Sequence, residues 1–290
     1  MKLADWLKKA QQEHFALGAF NVDSLEIFEA VAQSGQALKS PVMAEVSPGQ
    51  VKSLGLQNIA ALRENLSEEF GTRIFLNLDH ADDLDIINSA IELGFDLVHF
   101  DGSKLPLDEN MELARQVVEA AHKTGTLVEG EIDHFPGSSE PHSNKMGREK
   151  ESTDSHLTEP GQAQEFVAET GVDIFAAFIG NKHGTYADGS ERLNLEHLTK
   201  IRETLPQTFL SLHGGSGITS PDIAAAVSSG IVKVNVSTEL RVAFRDTLEN
   251  ILKGNPEEYA WYKLTAPAIE AVREVVEGKI KIFGSAGKAS

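Results

Sequence analysis

Apolar and polar positions along the chain follow two periods in turn, and the switching between them predicts the fold. Short runs with strand-like patterning occur at 18–22, 41–47, 73–80, 97–103, 127–133, 173–180, 209–214 and 231–237. Stretches with helical spacing and helix-start residues separate them, as at 56–70, 108–124 and 160–170. Eight strands alternating with helices point to an α/β chain of the (β/α)8 TIM-barrel class, one domain over 1–290. A doubly wound open sheet shares this alternation and is the competing architecture.

Period two sorts the strand residues into faces. In the last run Val232, Val234 and Val236 share one face, and Lys233, Asn235 and Ser237 the other. In 127–133, Val128 and Ile132 oppose Glu129, Glu131 and Asp133; in 97–103, Val98 and Phe100 oppose His99, Asp101 and Ser103. Helices cover a barrel's strands from outside, so the polar faces should point inward. Buried charge is costly unless paired, which leaves a functional interior or an internal ion-pair lattice. One segment, about 132–159, is polar and has neither period. At the carboxyl ends of barrel strands it would be a mobile active-site loop. The last part of the chain, about 255–290, reads as a C-terminal helical extension.

Composition narrows the chemistry. The chain has 290 residues, enough for one large core without a cofactor to hold it. It has no cysteine, which removes disulfides, thiolate nucleophiles and cysteine-type zinc sites and leaves histidine and carboxylate as metal ligands. A formal charge of −18 argues against nucleic acid and anionic membranes as partners. No apolar run is long enough to span a bilayer, and the start, Met1-Lys-Leu-Ala-Asp-Trp, lacks a signal-peptide core, so a cytoplasmic enzyme is expected.

Three histidines stand at the ends of strands three, six and seven: His80 in Leu-Asp-His, His183 in Gly-Asn-Lys-His-Gly, and His213 in Leu-His-Gly-Gly-Ser-Gly. Three imidazoles with an open fourth position make a catalytic zinc site. Asp79 beside His80 is either a general acid/base or a residue that orients an imidazole. Asp101 and Glu131, on inner faces, either hold a second metal position or orient the histidines. Gly214 and Ser216 supply donors for an anion, and Ser237 and Thr238 open the helix after strand eight. These last two are phosphate ligands, helix caps, or both.

The Leu-Asp-His, Val-Glu-Gly-Glu, Gly-Asn-Lys-His-Gly-Thr-Tyr, Leu-His-Gly-Gly-Ser-Gly and Lys-Val-Asn-Val-Ser-Thr-Glu-Leu segments, with the ending Lys-Ile-Phe-Gly-Ser-Ala-Gly-Lys, occur in order over nearly the whole chain. Together they resemble the class II, zinc-dependent fructose- and tagatose-bisphosphate aldolases. The resemblance implies reversible cleavage of fructose 1,6-bisphosphate or tagatose 1,6-bisphosphate to dihydroxyacetone phosphate and glyceraldehyde 3-phosphate, within carbohydrate metabolism and glycolysis. It makes His80, His183 and His213 the ligands of one Zn2+ per subunit, which polarises the ketone and stabilises the ene-diolate. Asp79 becomes the residue that exchanges the C4-oxygen proton, and Asn235 the one that holds the ene-diolate. Gly184, Gly214, Ser216, Ser237 and Thr238 become phosphate-binding positions, assisted in this family by a monovalent cation (Na+ or K+). Asn21 and Ser47 become substrate contacts, and Asp101 and Glu131 carboxylates near an alternative metal position. A homodimer or homotetramer is expected.

Two departures stand out. The family's glycine-rich loop with a proton-transferring glutamate is recast here as Asp-His-Phe-Pro-Gly-Ser-Ser-Glu, making Glu140 the nearest candidate. The family's Asp-Pro-Arg segment, whose arginine grips the distal phosphate in the partner subunit's site, is replaced by Glu-Tyr-Ala-Trp-Tyr-Lys, with Tyr262 or Lys263 near that position. The substrate could then be a ketose phosphate lacking the usual distal phosphate. The competing readings are a Schiff-base aldolase using Lys182 or Lys233, a non-catalytic sugar-phosphate binder, and a zinc hydrolase.

Overall fold

The computed structural model describes residues 1–133, 157–181 and 193–289. The chain begins with α1 (Leu3–Glu13), β1 (Leu17–Asn21), α2 (Leu25–Ala37), β2 (Val42–Val46), α3 (Pro48–Leu54) and α4 (Leu56–Phe70). Then come β3 (Ile74–Ala81), α5 (Leu84–Glu92), β4 (Leu97–Phe100), α6 (Leu107–Ala121) and β5 (Leu127–Glu131). The second half has α7 (Pro160–Thr170), β6 (Ile174–Ala176), α8 (Leu195–Thr204), β7 (Phe209–Leu212) and α9 (Ser220–Ser228). It ends with β8 (Ile231–Val236), α10 (Thr238–Gly254) and α11 (Trp261–Ile282). The strands form a closed parallel barrel in sequence order, β1 pairing with β8 through Leu17 opposite Lys233 and Phe20 opposite Val236. All eight expected strands are present, and closure excludes the open sheet.

Two apolar cores follow from the strand alternation. Outward residues such as Phe20, Ala44, Leu76, Val98, Val128, Leu210 and Val234 pack beneath the helices. Inward residues near the strand starts, Leu17, Met43, Phe75, Leu97 and Ile174, pack with Trp6 and Leu7 of α1, so α1 plugs the amino-terminal end of the barrel. Gly130 shows how closely the helices sit: a Cβ there would lie 2.9 Å from the Phe166 ring on α7. At the other end of the chain, α11 packs on α10 and α2. The tail beyond it returns to the barrel wall through Gly287 N–H to Leu38 O, 2.8 Å, and Ala289 N–H to Lys39 O, 2.9 Å.

Two register breaks depart from strict alternation, and both shape the interior. Along β3 the pairing to β4 shifts between Leu78 and Ala81, and His80 adopts φ 48°, a left-handed backbone that costs a non-glycine residue on the order of 1–3 kcal/mol. That kink turns both Asp79 and His80 inward, where an unbroken strand would send them to opposite faces. Along β8 the pairing to β7 slips between Leu210 and Ser211, so Val232 joins the interior core with Leu17 and Phe75. The expectation that Val232 shares a face with Val234 and Val236 is corrected on this point, because only the latter two pack outward.

Candidate active site

The carboxyl ends of the strands converge on a polar interior. One ligand atom from each of Asp79, His80, His99 and His213 lies within 4.8 Å of the others, and the same holds for His80, Asp101 and Glu131. His80 Nδ1 donates to Asp101 Oδ2 at 2.9 Å, and His213 Nε2 donates to Glu129 Oε1 at 2.7 Å. Each carboxylate fixes a tautomer, leaving His80 Nε2 and His213 Nδ1 facing each other at 2.9 Å. Two lone pairs repel at that separation unless a positive charge lies between them.

The electrostatics agree with a seat for one cation. Burial opposes charge on His80, but Asp79, Asp101 and Glu131 outweigh it and hold the imidazole well above its ordinary range. Burial pulls the fully enclosed His213 down to about 3. Either a proton on His80 or a metal ion satisfies the pair. Neutral imidazoles backed by carboxylates fit a zinc-like divalent ion. His183, the third expected ligand, lies outside the described residues, as do Lys182, Gly184, Glu140 and most of the 132–159 loop.

Asp79 is held on three sides. Its Oδ1 accepts from Asn235 Nδ2 at 3.1 Å, its Oδ2 from Asn21 Nδ2 at 3.4 Å, and His99 Nδ1 lies 3.7 Å away. Burial alone would raise its pKa; the imidazoles of His80, His99 and His213 and the Lys233 ammonium reverse this and keep the carboxylate ionised. Asp101 is likewise held far below its usual range: burial is outweighed by its bond to His80 and by the neighbouring imidazoles. Glu131 is pushed up to about 7 by burial. Asp101 and Glu131 lie 2.9 and 3.6 Å from His80 Nδ1, a contact that suits both of the roles open to them, orienting the imidazole or sharing a metal position with it.

Beneath the histidines lies a polar layer that sequence patterning marked only as inward-facing or missed. Lys233, fully buried, donates to Glu129 Oε2 at 2.8 Å and Asn235 Oδ1 at 2.7 Å, and lies 3.7 Å from Glu45. Burial would strip its proton, but Glu129 and Glu45 keep it charged. Glu129 is held well below the usual carboxylate range for the complementary reason, whereas burial and Asp79 push Glu45 well above it. Lys233 thus supports Asn235 from below. His99 was visible as an inward residue. Its place in the histidine cluster, with ring centroids 4.6 Å from His80 and 5.0 Å from His213, depends on the β3 kink, which no periodicity reveals. Glu45, Asn77 and Gln50 had the only available signal, inward parity on β2 and β3 or a place just beyond.

The candidate anion positions come together beside this cluster. Gly214 has φ 65° and Gly217 φ 87°, and Gly215 N–H donates to Asn235 O at 2.9 Å. A Cβ on Gly215 would sit 2.6 Å from that same oxygen, so this turn can reach β8 only with glycine. Ser216 Oγ accepts from Glu239 N–H at 3.3 Å, stitching the β7 turn to the start of α10. Ser237 caps α10 without a side-chain bond, so the pure capping role is not the one its hydroxyl plays. Ser47 opens α3, its N–H donating to Gln50 Oε1 at 2.6 Å, and stands at the rim on the Asn21 side.

Known proteins place these observations in context. The family model for fructose-bisphosphate aldolase class-II matches residues 1–288. A fructose-bisphosphate aldolase of Streptococcus pneumoniae is 36% identical over 296 residues, covering 98% of this chain and 97% of that protein. The crystal structure of the YdjI aldolase from Escherichia coli K12 superposes with a TM-score of 0.84 at 30% identity, covering 100% of this chain and 99% of its own. A putative fructose-1,6-bisphosphate aldolase from Coccidioides immitis gives 0.83 at 27% identity, covering 99% and 98%.

Proposed function

The chain belongs to the class II fructose-bisphosphate aldolase family, and on that premise we propose that it catalyses zinc-dependent, reversible aldol cleavage of a ketose 1-phosphate. The observation that carries the reading is the pair of carboxylate-backed imidazoles facing each other at 2.9 Å with ionised Asp79 beside them. In this reading His80, His213 and His183 hold the ion, which when bound supplies electrophilic polarisation of the ketone carbonyl. Asp79 accepts the C4-hydroxyl proton, the C4 carbonyl forms, and the C3–C4 bonding pair passes to C3 and its conjugated oxygen. Asn235, oriented by Lys233, donates to that developing charge, and Glu140 is the proposed proton donor to C3. The glycine turn at Gly214 and Ser216, with Gly184, Ser237 and Thr238, takes the phosphate, with a monovalent cation alongside.

Fructose 1,6-bisphosphate is the substrate that the relatives' names suggest, with its tagatose epimer the alternative that the motif resemblance adds, and dihydroxyacetone phosphate and glyceraldehyde 3-phosphate as products. A ketose phosphate without the distal phosphate is the second reading, favoured by the Tyr262–Lys263 stretch standing where the family's arginine would. The proposal includes a cytoplasmic homodimer or homotetramer; exposed Tyr259, Trp261 and Tyr262 offer a subunit contact. No helix among the described residues is long and apolar enough to cross a membrane. Borohydride added during turnover tests the mechanism. The expected result is carbon–carbon cleavage with no covalent adduct; an adduct on Lys182 or Lys233 would replace the metal mechanism with a Schiff base.

A further inference from the structure

At the rim, three strand ends contribute a cluster that the proposed mechanism leaves without a task. Asp23 follows β1, Gln50 lies in α3 after β2, and Arg241 occupies the first turn of α10 after β8. Arg241 Nε meets Asp23 Oδ2 at 2.7 Å and Nη2 meets Oδ1 at 3.1 Å, a two-pronged pair. Gln50 Nε2 also donates to Asp23 Oδ1. Gln50 Oε1 accepts from Asn21 Nδ2 at 3.4 Å, and that amide is 3.4 Å from Asp79 Oδ2. A hydrogen-bonded chain therefore runs from Asp79 to the ion pair. The side chains of Arg241 and Asp23 are 31% and 32% exposed, so a ligand can reach both.

Resting on the proposed aldolase reading, we infer that Asp23, through its pair with Arg241, selects ketose 1-phosphates whose far end is hydroxylated and uncharged over those with a second phosphate. With the phosphate at the β7–β8 turn and the C4 hydroxyl at Asp79, the remaining carbons lie on the β1–β2 side, toward this cluster. Two of the guanidinium's donors there are already committed to a carboxylate. A phosphate dianion would have to face Asp23 or displace it, and like charges brought together without water between them repel strongly. A hydroxyl can donate to Asp23 without separating the pair. The specificity element is thus a repulsive one.

The test compares fructose 1-phosphate with fructose 1,6-bisphosphate on the zinc-loaded full chain, reading kcat/KM for cleavage and Kd by calorimetry, for wild type and Asp23→Asn. Wild type is expected to favour the monophosphate by about tenfold or more, and Asp23→Asn to move the ratio toward the bisphosphate by about tenfold, mainly in KM and Kd. Arg241→Gln, which keeps the carboxylate, should not move it that way. A wild type that prefers the bisphosphate, with Asp23→Asn weakening it, overturns the inference and makes Asp23 a support for a phosphate-gripping arginine. Binding with the expected ratio but no cleavage of either sugar would sink the aldolase reading and leave the selection intact. Failure of both sugars to bind overturns the selection itself.

Discussion

At the scale of single residues, groups that look alike do different work. Asp79 is held ionised, and in the proposed mechanism it takes the substrate's proton, so Asp79→Asn should lower kcat by about 10²–10⁴-fold while bound zinc stays unchanged, measured by turnover beside metal analysis. Glu129 instead holds His213 by its remote nitrogen, so Glu129→Gln should weaken zinc binding by about 10–100-fold in a competitive chelator titration. The residues that sequence made legible were those in unusual local strings: His80 and His213 beside aspartate or glycine, Asp101 and Glu131 at inward parity, Asn235 before the Ser-Thr helix start. Glu45, Gln50 and His99 were not legible as site residues. Their links to the site run to residues 27 or more positions away or depend on a kink, and single-residue parity carries no information about either.

At the scale of elements, the strand count was legible because eight apolar runs recur with helical spacers between them; closure was not, because an open sheet shares that alternation, and is shown by the pairing of β1 with β8. The two register breaks were not, since a one-residue bulge leaves the hydrophobic pattern almost unchanged while reversing which face a side chain meets. The α1 plug is an element whose burial can be weighed. Leu7 is fully buried among Phe15, Leu17 and Met43, and Leu7→Ala should cost about 2–5 kcal/mol in denaturant unfolding. Asp96, ahead of β4, provides a pH probe remote from the histidines. Its Oδ2 accepts Leu76 N–H at 2.9 Å, yet burial raises its pKa above 3.8. A raised carboxyl binds its proton more tightly in the folded chain, so stability from this group is present below the unfolded value and lost as pH rises through the folded one. Asp96→Asn should remove that loss, so the gap between variant and wild-type stability should change just above pH 3.8 and level off beyond the folded value; a constant gap would show that Asp96 does not titrate this way.

At the scale of the whole molecule, a formal charge of −18 surrounds the pocket proposed to take an anionic sugar phosphate. The chain meets that conflict locally, with Lys233 held between Glu129 and Asn235, a candidate cation seat at the histidines, and a glycine turn stitched to the start of α10. Recruitment by the general field is therefore unfavourable, and the local sites must supply the affinity. Because the proposed mechanism turns on a positive charge between His80 and His213, the most direct test is dihydroxyacetone phosphate release from fructose 1-phosphate and fructose 1,6-bisphosphate by protein as purified, stripped with chelator, and restored with zinc. Release that disappears on stripping and returns with zinc, on either sugar, is the predicted result. Release that persists in fully stripped protein would contradict the metal-centred account.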